Sequence, residues 1–336
     1  MLRTALAASA LIAFASSAHA AFPADHFKGK TVDVIVGYEP GGGYDVYARL
    51  LARHFGRHLP GAPNVVVKNM PGAVSRTAAN YIANVAPKDG TAIATLARGL
   101  PQDELLGAPG IRFRSRELAW LGSMNNEVSV GVAWHTSPVK TMDEALKQEM
   151  IVGAIADSLV FPTVMNAVLG AKFKIIQGYR SGGELTLAME RGELHGRMGW
   201  SWSSIVSGNA EWIRDKRIFN MVQFSTSKHA DLPDVPLVTD LAKTPEQKAM
   251  LRLVFARQVM GRPFVAPGGM AKGFAEGLRA AFDTTMTDPA MVAEAAKLKI
   301  EINPVKGADV QAIVERMFTA SPAVIARAKE LVPIEK

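Results

Sequence analysis

Cysteine is absent from this chain of 336 residues. That excludes a disulfide scaffold, a thiolate nucleophile, a cysteine-ligated zinc and an iron–sulfur cluster. A strong excess of one charge is also missing. Lys and Arg number 38 against 31 Asp and Glu, a scattered net charge of +7. This favours anionic small molecules but falls far short of a basic nucleic-acid stripe, so no nucleic-acid partner is expected. Familiar catalytic signatures are missing too. Gly41-Gly42-Gly43 lacks the G-x-G-x-x-G spacing of a dinucleotide loop, and no Gly-Lys-Ser/Thr follows it to make a P-loop. There is no G-x-S-x-G elbow and no H-E-x-x-H pair. What is present is an ordinary globular composition, 48% hydrophobic and 21% charged, and at about 150 residues per domain the length predicts two domains.

The first twenty residues read as a targeting segment. Met1-Leu2-Arg3 gives a positive start, Ala5 to Ala15 an uncharged apolar run, and Ala18-His19-Ala20 a small-x-small cleavage pattern. The run is short for a membrane span, and no later stretch is long and apolar enough to be one. The expectation is an exported, periplasmic protein whose mature chain starts near Ala21. Cytosolic cofactors such as ATP and NAD are then poor candidates, and no cofactor is expected.

From Thr31 the pattern alternates strand and helix. Thr31 to Val36 is a β-branched strand, and Tyr44 to Leu59 carries apolar residues at helical spacing before Pro60-Gly61. Val65 to Val67 and Thr91 to Leu96 are further strands around a helix from Arg76 to about Asn84. This is βαβαβ, the mark of a mostly parallel sheet covered on both faces. The rhythm continues in strands at Val128–Trp134, Ile151–Ile155, Phe173–Gln177, Leu194–Gly199 and Phe219–Phe224. Capping boxes are predicted at Thr141/Glu144 and Thr244/Gln247. With no long linker, two α/β lobes sharing more than one crossover are expected: residues 21–124 with 256–336, and residues 125–255.

Ligands in open α/β sheets bind outside the carboxyl ends of strands, so the strand-to-helix loops carry the candidate residues. Tyr38 to Asp45 places Gly42, Gly43, Tyr44 and Asp45 where backbone N–H groups and a helix N-terminus suit an anion. The alternative is a tight turn capped by Asp45. A second loop brings Ser158 and Phe161. A third, Tyr179, Arg180, Ser181, Gly182 and Gly183, combines an aromatic, a guanidinium suited to a carboxylate and two glycines. A fourth carries Trp200, which could wall a pocket or pack in the core. Arg98 closes the third strand, and Asn125-Asn126 lie near the first crossing. His54 and His58 sit at i, i+4, but beside Arg53 and Arg57 they read as a solvated basic face; no metal is expected.

Several separated segments resemble the Bug-type extracytoplasmic solute receptors of tripartite tricarboxylate transporters. They are VGYEPGGGYDVYARLLARHFGRHLPG (36–61), VVVKNMPGA (65–73), NVAPKDGTAIAT (84–95), GYRSGGELTLAMERGELHG (178–196) and APGGM with LRAAFDTTMTDPAMVAEA (266–295). The resemblance spans the chain after residue 20. It implies a type II periplasmic binding fold, two α/β lobes with a ligand cleft between them. It also implies that the loop at Gly42–Asp45 and the loop at Tyr179–Gly183 hold a carboxylate, mostly through backbone N–H groups and water. The chain departs at Ala73-Val74-Ser75, where the family usually writes Gly-Ala-Gly.

The expected function is capture of a small organic carboxylate for delivery to membrane permease subunits, by a monomer that is not an enzyme. Two alternatives stand beside it: an exported α/β hydrolase using Ser158 or Ser201, which would need a His or an acid beside the hydroxyl, and a sensory receptor of the same fold.

Overall fold

The computed structural model describes residues 22–155, 158–179 and 181–332. The expected targeting segment lies outside them, as does Arg180.

The eleven strands of the described residues form two sheets. In the first sheet, β1 (Thr31–Val36), β2 (Asn64–Asn69) and β3 (Ala92–Thr95) are parallel, in the order β2-β1-β3. The sheet continues through β10 (Pro263–Ala266), β4 (Ala119–Ser123) and β11 (Val305–Lys306), all with antiparallel pairing. The second sheet has the order β7-β6-β8-β5-β9. Here β6 (Met150–Gly153) is parallel to β7 (Phe173–Ile176) and β8 (Gly196–Ser201). β5 (Ser129–Trp134) lies antiparallel between β8 and β9 (Ile218–Phe224). The chain thus leaves the first sheet after β4 and returns to it at β10, in a two-lobe α/β architecture. Each sheet has a parallel part and an antiparallel flank, a more mixed arrangement than the βαβαβ pattern implies.

Strand periodicity explains where the core sits. Successive side chains of a strand point to opposite faces. Val32, Val34 and Val36 pack with Leu50, Leu51 and Phe55 of the helix Gly43–Phe55 and with Phe264 and Phe282. Ile35 faces the other way, into a continuous apolar layer that includes Trp120, Val152, Phe161, Phe224 and Phe255 and so joins the two sheets. The outer face of the second sheet has its own cluster around Trp134, Leu185, Trp200 and Trp212.

The expected capping boxes are present at Thr141 and Thr244. The histidine face is different from its sequence reading. His54 is 5% exposed, and its Nε2 meets Glu294 Oε2 at 2.6 Å. His58 Nε2 meets Asp288 Oδ2 at 3.0 Å. Arg53 and Arg57 pair with the same two acids at 2.7 and 3.3 Å. The basic face therefore docks on the start of the helix Pro289–Lys297, whose N-cap is Asp288. A long-range helix contact supplies the counter-charges that neighbours in sequence could not reveal. No helix among the described residues is long and apolar enough to cross a membrane.

Candidate functional site

The parallel strands of both sheets send their carboxyl ends toward one another. Tyr38 and Tyr44 follow β1, Arg98 follows β3, Ile155 follows β6 and Tyr179 follows β7. All five line one cavity of about 550 Å³, together with Val74, Arg257 and Arg262. A second cavity of about 640 Å³ shares Arg98 and Ile155 with it and runs past Ser158, Phe161, Gly182, Gly183, Arg197 and Trp200. A larger cavity, about 710 Å³, is lined by Asn84, Lys88, Phe113 and Gly269. It lies where β3 begins, the wrong end of a parallel sheet for a ligand site.

The first loop is braced from within. Asp45 is 2% exposed and accepts from the Gly41 N–H at 2.9 Å, from Arg49 Nε and Nη2 at 2.8 and 3.0 Å, and from Asn69 Nδ2 at 2.9 Å. Its pKa is lowered to about 2, chiefly by the Arg49 hydrogen bond. Asn69 Nδ2 also reaches the Tyr38 carbonyl at 2.9 Å. Asp45 therefore holds the loop's shape and does not line the cavity. Tyr38 and Tyr44 do, with their rings stacked at 4.5 Å. The Tyr44 hydroxyl accepts from the Arg98 backbone N–H at 3.2 Å, tying the loops after β1 and β3 together. Arg262 lies over Tyr44 and Tyr47 at 4.9 and 5.2 Å. Gly43 backs this stack: a Cβ there would come within 3.1 Å of Arg262 Nη2. Gly42 lies beside it at the helix start, outside the cavity wall.

Ala73, Val74 and Ser75 all adopt left-handed backbone conformations, with φ of 44°, 51° and 71°. A β-branched residue there costs on the order of 1–3 kcal/mol. Arg76, 3% exposed, holds the turn by donating from Nε to the Ala73 carbonyl at 2.8 Å and from Nη1 to the Pro109 carbonyl at 3.1 Å. The result presents Val74 to the first cavity.

On the second sheet, the Ser181 hydroxyl caps the helix Gly182–Glu190 by accepting from the Glu184 N–H at 3.3 Å. Gly182 and Gly183 then face the second cavity. Ser158 Oγ is bound to the backbone of Ile155, accepting from its N–H at 3.1 Å and donating to its carbonyl at 3.2 Å. Phe161 is 2% exposed and packs on Phe224 and Phe255, so only its edge reaches the cavity. Trp200 is mostly core and carries the Arg197 guanidinium on its ring at 4.7 Å. Ser201, which also lines this cavity, donates to Glu127 Oε1 at 2.6 Å and lies 3.0 Å from Ser203 Oγ. Asn125 is buried at the junction of the sheets, with Nδ2 3.3 Å from the Tyr47 hydroxyl.

Sequence reasoning missed the feature that dominates the electrostatics. Arg98, Arg257 and Arg262 line the first cavity beside a single acid, Asp103. Arg98 and Arg197 line the second with no carboxylate among its described lining residues. Arg98 Nη1, Arg262 Nε and Arg197 Nε are buried without a hydrogen-bond partner among the described residues. Arg197 was legible in principle, as a lone guanidinium in the strand Gly196–Ser201. Among the described residues no group of three His, Asp or Glu is arranged to hold a metal.

No protein-family model and no curated protein sequence matches the chain. Solved structures do. A TctC solute-binding protein from Polaromonas superposes with a TM-score of 0.67 at 17% identity, covering 90% of this chain and 97% of the other. The fold is that of the periplasmic solute-binding proteins. The periplasmic binding protein BugD matches with a TM-score of 0.55 at 18% identity over 90% and 97% of the two chains. Rpa4515 of R. palustris, solved with adipate, matches with a TM-score of 0.59 at 15% identity over 90% and 98%. These likenesses cover both sheets and agree with the architecture that the sequence resemblance implied.

Proposed function

We propose that this protein is a periplasmic receptor that captures a small organic carboxylate as a monomer and delivers it to the permease subunits of a tripartite tricarboxylate-type transporter. The observation that carries the reading is the pair of joined cavities at the facing strand ends, lined by four arginines and one acid. The buried guanidinium atoms of Arg98, Arg197 and Arg262 that have no partner among the described residues favour an anion, and planar carboxylates match their forked donors. The adipate held by a neighbour of the same fold agrees with that chemistry.

The lobes are residues 21–124 with 256–336, and residues 125–255, and they close on the ligand. A ligand that touches Tyr44 and Arg262 on one side and Tyr179 on the other gains its full set of contacts only when both sides approach. That differential affinity is what shifts the population toward the closed state. Calorimetry of the mature chain against mono-, di- and tricarboxylates tests the proposal. Saturable binding of at least one is expected; a folded protein that binds none of them overturns it.

One observation favours the hydrolase reading, the hydrogen bond from Ser201 to Glu127. A carboxylate is a weak base toward an alcohol, and no imidazole stands between the two to relay the proton. The bond instead ties β8 to the crossing segment after β4. Turnover of ester substrates that disappears in Ser201→Ala would reverse this conclusion.

A further inference from the structure

The segment that leaves the first sheet after β4 touches the segment that returns to it before β10. The Gly261 N–H donates to the Asn125 carbonyl at 3.0 Å, and a Cβ on Gly261 would lie 2.9 Å from the Glu127 Cβ. The first sheet holds Glu301 against this junction. Asn303, just before β11, accepts at its carbonyl from the Asn126 N–H at 2.7 Å and donates to the Met124 carbonyl at 3.1 Å. The Tyr47 hydroxyl donates to the Glu301 carbonyl at 2.8 Å. The second sheet reaches the Glu301 carboxylate from its own side. His229 follows β9, and Gln223 of that strand pins its loop. Gln223 Oε1 accepts from the His229 N–H at 2.8 Å, and its Nε2 donates to the Leu232 and Val235 carbonyls at 2.9 and 2.7 Å. His229 Nδ1 accepts from the Asp231 N–H at 3.1 Å, which leaves the ring proton on Nε2, 3.8 Å from Glu301 Oε1. Each partner is thus fastened to its own sheet, and their contact spans the two beside the crossings.

The charges that face Glu301 are Glu127 from the first crossing and His229 with Asp231 behind it; Tyr47 comes from the helix Gly43–Phe55, and Arg262 of the second crossing lies over the Tyr47 ring at 5.2 Å. Asn125 Nδ2 donates to Glu301 Oε2 at 3.4 Å. Glu127 is buried and accepts from the Ser201 hydroxyl at 2.6 Å. Burial, and after it the Glu127 charge, push the Glu301 carboxyl above its ordinary 4.5. A seated His229 loop therefore favours the neutral carboxyl. Once ionised, Glu301 draws water, and rotation of one sheet about the crossings admits it by lifting that loop away.

We propose that Glu301 and the His229 loop form a proton-controlled latch between the two sheets, seated when Glu301 is protonated and released when it ionises. Neither residue lines the arginine-rich cavities, so the latch acts on the motion of the lobes and not on ligand contacts. It rests on the lobe motion proposed above and is independent of which ligand is bound.

The chain has no cysteine, so two can be introduced for labelling. Val46→Cys and Leu187→Cys place one at an exposed position on each of the helices Gly43–Phe55 and Gly182–Glu190. Spin labels there report the separation of the two sheets, read by pulsed electron resonance on the mature chain, refolded to strip any copurified ligand. The distance distribution is expected to change between about pH 4 and about pH 8, with its midpoint above 4.5. Glu301→Gln cannot ionise and is expected to keep the acid distribution throughout. Glu127→Gln keeps an acceptor for Ser201 and removes the like charge, so its midpoint is expected to fall by about one unit. A merely structural role for Glu127 would move no midpoint. Distances that ignore pH in the wild type, a transition that survives in Glu301→Gln, or an unmoved midpoint in Glu127→Gln overturn the latch. Should Glu301→Gln fail to fold, the Glu127→Gln midpoint decides. Because the distances are read without ligand and the receptor reading is tested by calorimetry, the two fail separately.

Discussion

At the scale of single residues, the site depends on how guanidinium groups are held. Arg262 lies across Tyr44 with Gly43 behind it, so Gly43→Val pushes a branched side chain into the 3.1 Å gap beside Nη2. The variant is expected to fold normally by circular dichroism and to lose about 1.5–3 kcal/mol of ligand affinity, the worth of one charge-assisted hydrogen bond. Unchanged calorimetric affinity would remove Arg262 from the site. A second residue, Glu301, bears on stability. Its carboxylate lies 3.8 Å from His229 Nε2, and Asn125 Nδ2 donates to it at 3.4 Å. Burial raises its pKa above the ordinary 4.5, and the charge of Glu127 raises it further. A raised carboxyl pKa means that the folded state prefers the protonated form. Its contribution is then fully present below pH 4.5 and is lost as pH rises through the folded value. Glu301→Gln escapes that loss, so its melting temperature is expected to gain on the wild type as pH rises from 4.5 through the folded value and to hold level above it. A gap independent of pH would contradict this. Tyr38, Tyr44, Arg98 and Tyr179 were legible as site residues because each follows a strand that the pattern marks. Arg257 and Arg262 were not, because only the antiparallel return of β10 brings their neighbourhood to the ends of β1 and β3.

At the scale of elements, local signals were read well and long-range ones poorly. The strand Thr31–Val36 and the caps at Thr141 and Thr244 stand where the sequence puts them, since each is set by residues within a few positions. β4, the strand Ala119–Ser123, escaped notice because AWLGS is short and lacks alternation. The α-helix Val160–Val164 changes to a π-helix at Met165–Leu169, a register that periodicity does not reveal. The expected helix Tyr44–Leu59 ends as an α-helix at Phe55 and tightens into one turn at Gly56–His58. The left-handed turn at Ala73–Ser75 is a strain that the departure from Gly-Ala-Gly makes visible. Ala73 is exposed and sits at φ 44°, so Ala73→Gly relieves a conformational cost of about 1–2 kcal/mol, partly offset by the greater freedom of glycine when unfolded. The melting temperature is expected to rise by about 1–3 °C. A lower melting temperature would show that the turn is not strained at this residue.

At the scale of the whole molecule, two sheets share one apolar layer yet present an open, positive seam at their facing strand ends. The excess positive charge of the chain is modest, 38 basic against 31 acidic residues, but the cleft is not modest: Arg98, Arg197, Arg257 and Arg262 line it against Asp103 alone among the described lining residues. Low-dielectric walls around like charges focus the field outward along the opening, which raises the local concentration of anions and speeds their arrival. This steering acts across solvent, so salt screens it. Between 0.01 and 0.15 M ionic strength the Debye length shrinks from about 30 Å to about 8 Å. Release is different, because a ligand enclosed between closed lobes is held by short contacts that salt screens little. Stopped-flow measurements with a dicarboxylate are therefore expected to show an association rate that falls about tenfold over that range of salt, while the dissociation rate changes far less. Arg197→Met should lessen the salt dependence of arrival, since its guanidinium lines the seam and contributes to that field. An association rate indifferent to salt would mean that the arginines act only after the ligand has entered, and that the positive seam plays no part in finding it.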